Sequence, residues 1–241
     1  MLFIRALPVL ALVALAVPAA ALPIPGTGLS VNADANLMSD FRFRGVSRSG
    51  EDPALQGNVT LSHDSGFYLG TRATTLDGLD TFRLRDPDLD DLGDAQVELY
   101  AGYGRDLGAG LSVDGGLLYY AFPGGEGPRE HFEPYVSASY LLGPVEATLG
   151  ARHAWAQEGT GDEALTYLFG EVVAGVPFTP FKLTAGAGHQ DWGVYGSYWN
   201  WSVGARYTLG PAELGLRYVD TDLPALPGQD AGLVASVRLG F

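Results

Sequence analysis

The final stretch, Ala231-Gly232-Leu233-Val234-Ala235-Ser236-Val237-Arg238-Leu239-Gly240-Phe241, alternates with a period of two. Ala231, Leu233, Ala235, Val237, Leu239 and Phe241 fall on one face. Gly232, Val234, Ser236, Arg238 and Gly240 fall on the other, where Val234 is the one sizeable apolar residue. Successive strand residues point to opposite sides of a sheet. A strand that is apolar outward and small or polar inward suits a closed barrel set in lipid. The odd face then meets lipid, and the even face meets a lumen.

The opposite end of the chain agrees with such a destination. Arg5 is followed by an apolar run, Leu7–Val17, too short to cross a bilayer as a helix. Ala19-Ala20-Ala21 satisfies the small-residue rule for leader cleavage, which predicts a mature chain starting near Leu22. Later apolar stretches are all broken by Asp, Glu, Arg or Gly. The chain has no cysteine, so no disulfide stabilises it, and closing a sheet within lipid provides an alternative. Its 34 glycines have no period of three, which excludes a collagen pattern. The formal charge of −14 argues against nucleic-acid binding, which needs basic stripes.

Alternation bounded by turn residues predicts twelve strands in an all-β, antiparallel up-and-down barrel over residues 22–241. The segments are 29–45, 54–62, 67–76, 95–104, 111–121, 131–141, 145–155, 164–176, 181–190, 197–209, 212–220 and 230–241. The first, eighth and tenth are the longest. Their connections alternate in length. His63–Gly66, Arg105–Gly110, Leu142–Pro144, Pro177–Pro180 and Gly210–Pro211 are sharp. Val46–Pro53, Asp77–Asp94, Phe122–Glu130, Ala156–Glu163, Asp191–Gly196 and Thr221–Gln229 are longer. Short turns at one end and long loops at the other is the outer-membrane arrangement, with both termini at the short-turn, periplasmic end.

Strand faces follow from the alternation. Trp199, Trp201, Val203, Ala205, Tyr207 and Leu209 oppose Asn200, Ser202, Gly204, Arg206 and Thr208. Aromatic residues gather toward strand ends, as expected of the two girdles where lipid meets water. The lumen is expected to receive Asp34, Asp40, Glu98, Asp114, Glu133, Glu146, Glu171 and Glu213. It also receives Arg42, Arg44, Arg72, Arg152, Lys182, Arg206, Arg217 and Arg238, so the signs balance. Such a lumen is either a polar eyelet that sorts solutes by charge or a plug of mutual ion pairs. Most other acids lie in the long loops, where they can attract cations or bind neighbouring lipopolysaccharide through divalent ions.

Metal and catalytic signals are weak. Asp86-Pro87-Asp88-Leu89-Asp90-Asp91 departs from a calcium loop, with Asp91 at the sixth position and Val97 at the twelfth. His63, His131, His153 and His189 are scattered; His131 and Glu133 share a face, but two ligands do not make a site. His153 is expected on the lipid face, where some barrels carry a Ser–His hydrolase centre. No outward serine neighbours it, because Ser137 and Ser139 point inward, and there is no Gly-x-Ser-x-Gly elbow. No enzyme activity and no cofactor are expected.

The segments Ser39-Asp40-Phe41-Arg42-Phe43-Arg44-Gly45-Val46-Ser47-Arg48-Ser49 and Glu51-Asp52-Pro53-Ala54-Leu55-Gln56-Gly57 resemble the signature of the TorF family of proteobacterial outer-membrane proteins. Ser65-Gly66-Phe67-Tyr68-Leu69-Gly70-Thr71 resembles that family's next block. The resemblance implies an outer-membrane barrel of porin type and names no substrate; the expected function is a passive pore for small polar solutes in a Gram-negative outer membrane. A closed barrel with a structural or surface-binding role is the alternative. Terminal Phe241 resembles the signal that outer-membrane assembly machinery recognises. On the strand reading, Asp40, Arg42 and Arg44 form one lumen-facing row, while Phe41 and Phe43 face lipid near the outer rim.

Overall fold

The computed structural model describes residues 21–77 and 92–241. The leader's apolar run and Asp86–Asp91 lie outside the described residues. The strands, in chain order, are β1 (Leu22–Ile24), β2 (Leu29–Met38), β3 (Arg42–Phe43), β4 (Val46–Ser47), β5 (Ala54–His63), β6 (Phe67–Thr75), β7 (Ala95–Gly108) and β8 (Leu111–Ala121). They continue with β9 (His131–Leu142), β10 (Val145–Ala154), β11 (Leu165–Gly175), β12 (Phe181–Asp191), β13 (Ser197–Leu209), β14 (Ala212–Thr221) and β15 (Gly232–Gly240). Among the described residues, β2 and β5–β15 are the twelve walls of a closed barrel. Each pairs antiparallel with its sequence neighbour, and β2 closes the ring by pairing with both β15 and β5.

Wall residues obey the two-face rule. The outward face carries an exposed aliphatic band that includes Leu37, Val59, Leu99, Val136, Leu149, Leu183, Val203, Leu216 and Leu233. Leu149 is 72% exposed, a state that water would penalise and hydrocarbon would not. Aromatic pairs rim both edges of the band. Phe67–Tyr103 and Phe181–Tyr207 lie toward the short turns, with ring centroids 4.9 and 4.8 Å apart. Tyr119–Phe132 and His189–Trp199, each at 4.8 Å, lie toward the long loops.

One edge of β2 is shared by two segments. β1 pairs with its start, Leu22 opposite Val31, and β15 pairs with its later part, Ser236 opposite Met38. Phe241 fills the gap between them, its N–H donating to the Ala33 carbonyl at 2.8 Å. The longest strands are β7 and β13; β13 is the tenth wall, expected to be long, whereas the first and eighth walls, β2 and β11, have only 10 and 11 residues. β7 runs on to Gly108, with a register shift between Asp106 and Gly108.

The structure overturns one expectation outright. The first wall strand stops at Met38, not at residue 45. Met38 lies directly opposite Ala54, so residues 39–53 leave the wall altogether. They fold inward, and Arg42–Phe43 pairs with Val46–Ser47 as a small hairpin inside the barrel. At its tip Arg44 and Gly45 both have positive φ, 52° and 90°, as a type I′ turn requires of its two central residues. Phe41 and Phe43 therefore face the interior of the barrel, not lipid, and Arg42 and Arg44 are not part of a wall row.

Candidate functional site

The hairpin is organised by Asp40. Its carboxylate accepts from Arg42 Nε at 2.6 Å, from Ser47 Oγ at 2.6 Å and from Ser49 Oγ at 3.2 Å. Ser49 Oγ also accepts the Phe41 N–H, at 2.9 Å. Arg42 further donates to the Asp230 carbonyl, and Glu51 lies 3.4 Å from it. These bonds are local or reach the adjoining loop, so the segment is fixed in its inward course. A buried carboxylate so satisfied does not carry the desolvation cost of an isolated one.

Two apolar seats receive the phenylalanines. Phe41 packs with Met38, Ala54, Val219 and Val234, all buried. Met38, Val219 and Val234 are inward residues of wall strands, and in a simple polar lumen they would have no partner. Phe43 sits edge-on to Tyr120, centroids 5.8 Å apart, beside the cluster of Leu92, Leu118, Tyr120 and Phe122. Arg48 covers the other side of the Phe43 ring, 3.8 Å from its centroid, and also donates to Gln96. Gly45 touches the far wall: a Cβ there would lie 2.6 Å from Thr221 Cγ2 and 2.7 Å from Asn200 Cβ. Only glycine lets the tip approach that closely.

Arg44 crosses the lumen. Its Nη2 donates to both Glu133 oxygens at 2.5 and 2.7 Å, and its Nη1 donates to Gln190 at 2.6 Å. The guanidinium lies 4.5 Å from the Tyr167 ring centroid, and Tyr198 Oη donates to the Arg44 carbonyl.

The other expected lumen residues divide into pairs and remainders. Arg72 meets Glu98 at 3.1 Å, and Arg238 meets Asp34 at 2.8 Å across the closing seam. Asp114 accepts from Tyr68 at 2.8 Å, and Tyr68 in turn touches Tyr135. Glu146 and Lys182 are exposed near the short-turn end. Arg206 lies 3.4 Å from Glu171 and 4.0 Å from Glu213, contacts too long to hold it firmly. Arg152 donates to Tyr120 Oη at 3.2 Å and lies 5.6 Å from the Phe169 ring centroid. Its Nε is buried without a partner. Among the described residues Arg217 has no hydrogen bond or ion pair, and it stands exposed to the lumen.

Beneath and around the hairpin remains an open cavity of about 460 Å³. Arg42, Arg44, Arg72, Arg152, Arg206 and Arg217 line it, against the carboxylates of Glu98 and Glu171. A second cavity of about 290 Å³ lies toward the short turns and shares Arg206 and Arg217 with the first. The outer half of the lumen is thus packed and the inner half open.

Outside the lumen, His153 Nδ1 lies 2.9 Å from Thr166 Oγ1, its cross-strand neighbour, and meets no serine. His63 lies 2.7 Å from Ser65 within a short turn. Among the described residues no group of three or more His, Asp or Glu gathers that could hold a metal ion.

Residues 24–231 match a family described as a bacterial protein of unknown function (Gcw_chp). Comparison with curated proteins finds no match. Among solved structures, the NanC porin is similar with a TM-score of 0.53 and 13% identity, over 87% of this chain and 97% of that one. The KdgM porin in complex with disordered oligogalacturonate is similar with a TM-score of 0.51 and 10% identity, over 87% and 95%. At such identities the likeness concerns the fold alone.

Proposed function

This chain belongs to the Gcw_chp family, and we propose that it is a porin-like outer-membrane channel for passive diffusion of small polar solutes. The carrying observation is the open cavity of about 460 Å³, walled by ionisable side chains, on one side of the inward hairpin. A barrel with only a structural task gains nothing from unfilled, charged space in its interior, because unfilled space forfeits packing. The hairpin serves as the constriction that selects what passes. The exposed apolar band and its aromatic rims support lodging in lipid. The porin folds support the same reading, as does the TorF resemblance of the hairpin sequence. In this reading the leader is cleaved near Ala21 in a Gram-negative cell, and assembly machinery receives the chain through Phe241. The long loops meet lipopolysaccharide, and no catalytic step is involved.

A closed barrel is favoured by one specific observation: Phe41 and Phe43 occupy fitted apolar seats, so the outer half of the lumen is shut in this conformation. Single-channel recording in a planar bilayer separates the two. Discrete conductance steps from the wild type support the channel. A silent wild type, beside a conducting variant that lacks the hairpin, supports the closed barrel.

A further inference from the structure

Three guanidiniums of the larger cavity are already matched: Arg42 by Asp40, Arg44 by Glu133 and Arg72 by Glu98. Arg152, Arg206 and Arg217 are left with Glu171 as the one further acid lining that cavity, and with Glu213 beyond it, 4.0 Å from Arg206. The lumen-facing charges balance overall, but here they do not balance locally. We propose that this cavity is a binding and selection site for a small organic anion, recognised through a carboxylate or phosphate group. The proposal rests on the channel reading for its route of entry.

The register builds the site. Arg206 lies opposite Gly215, and Arg217 lies opposite Gly204, on neighbouring strands β13 and β14. Glycine across from each arginine removes the side chain that would cover it, so both guanidiniums project into the cavity from one wall. A Cβ on Gly204 would come within 3.1 Å of the Arg217 Cβ. Thr184, Gly186 and Ser202 make the adjoining floor small and hydroxyl-bearing, which suits a hydroxylated solute. Arg152 approaches the same space from β10 with its Nε donor unmatched. Guanidinium forks match the geometry of carboxylate and phosphate oxygens. Like charges on adjacent strands repel one another, and an anion between them removes that repulsion.

The test uses proteoliposomes holding the full mature barrel, with swelling measured in isosmotic glucose, gluconate, glucose 6-phosphate and glucosamine. Glucose entry reports on the channel itself. The anionic sugars are expected to enter faster than glucosamine, and their relative rates tell carboxylate from phosphate preference. Arg217→Gln breaks no ion pair of the described residues. It should lower the anion-over-cation ratio about tenfold, because losing a unit charge some 6 Å away in a water-like medium disfavours a monovalent anion about threefold and favours a cation by as much. Arg206→Gln/Arg217→Gln should lower it further. Equal rates for gluconate and glucosamine, or a ratio that the double variant leaves unchanged, overturn the proposal while leaving the channel standing. If glucose does not enter, the channel reading fails by itself. Calorimetric titration of gluconate and glucose 6-phosphate into solubilised protein then decides the site. Saturable binding that Arg217→Gln weakens upholds it, and no binding to the wild type overturns it.

Discussion

Arg44 and Glu133, brought together from a hairpin tip and a wall strand, form a two-pronged ion pair in which the side chains are 5% and 0% exposed. Arg44 holds a left-handed backbone, φ 52°, to reach it. For a residue other than glycine that conformation persists only when its surroundings enforce it. The pair is thus the bolt between the hairpin and the wall.

Removing one half of the bolt strands the other charge. Arg44→Met or Glu133→Leu alone is expected to lower stability by about 3–5 kcal/mol, and the two together by much less. Guanidinium unfolding of the solubilised barrel checks this. A double variant as unstable as the sum of the singles would mean that the two groups act independently.

In the proposed channel, the seating of Phe41 and Phe43 sets how often the lumen opens. Phe41→Ala is expected to weaken the seat on Met38, Val219 and Val234 by about 3 kcal/mol, shifting a closed-to-open ratio roughly a hundredfold. Frequent opening in single-channel records, with little change in global unfolding, is the expected outcome. Replacing residues 39–53 by Asn-Gly goes further. Met38 and Ala54 are directly opposed, so a two-residue turn can close that ladder. Conductance should rise, with the same heat-modifiable mobility on a gel.

Chemical access maps the two halves of the lumen. Cysteines at Arg206 and Arg217 should react readily with a water-soluble maleimide. Cysteines at Val203 and Leu216, on the outward apolar face, should not. Asn200 points inward, yet it lies against Gly45 and is 8% exposed. Its cysteine should stay protected until the hairpin is deleted. Prompt labelling there in the intact protein would mean that the hairpin spends its time elsewhere.

Phe241 contributes main-chain bonds as well as its ring. Its N–H donates to the Ala33 carbonyl, and its carbonyl accepts from the Ala33 N–H. Deleting it should lower the yield of assembled barrel severalfold, while Phe241→Tyr, which keeps both bonds and an aromatic ring, should restore it. Pulse-chase labelling with heat-modifiability as the readout distinguishes the two.

The walls were legible in the sequence because lipid outside and a polar lumen inside impose a single alternation on each strand. β8 and β13 fall at the expected bounds, β2 stops seven residues early, β7 runs four residues further, and the other walls differ by a residue or two at an end. The hairpin was not legible, and the reason is physical. Phe41, Arg42, Phe43 and Arg44 alternate just as a wall strand does, since a hairpin inside a barrel also has two faces. Its partners, not its own pattern, betray it. Met38, Val219, Val234 and Leu118 are apolar residues on lumen-facing rows, and Val234 already breaks the inward face of the last strand. Four such exceptions converge on Phe41 and Phe43 only once the strands have been wound into a barrel. The pairing of Arg44 with Glu133 and the isolation of Arg217 are likewise three-dimensional facts, because each depends on which charges the closed ring sets near one another.

The shared edge of β2 has a consequence in time. Synthesis yields β2 first among the twelve walls and β15 last, and the Arg238–Asp34 bond across their seam joins residues 204 apart. Eleven ladders between consecutive wall strands can form while the seam still gapes. Throughout that interval β2 and the newest strand each present a row of unpaired N–H and C=O groups, a template for any other open sheet. Ring closure is the step with the longest reach along the chain, so it is expected to be slow and to come at the end. A product stalled before β15 would contain almost all of the native pairing and yet be the most aggregation-prone form this polypeptide can take.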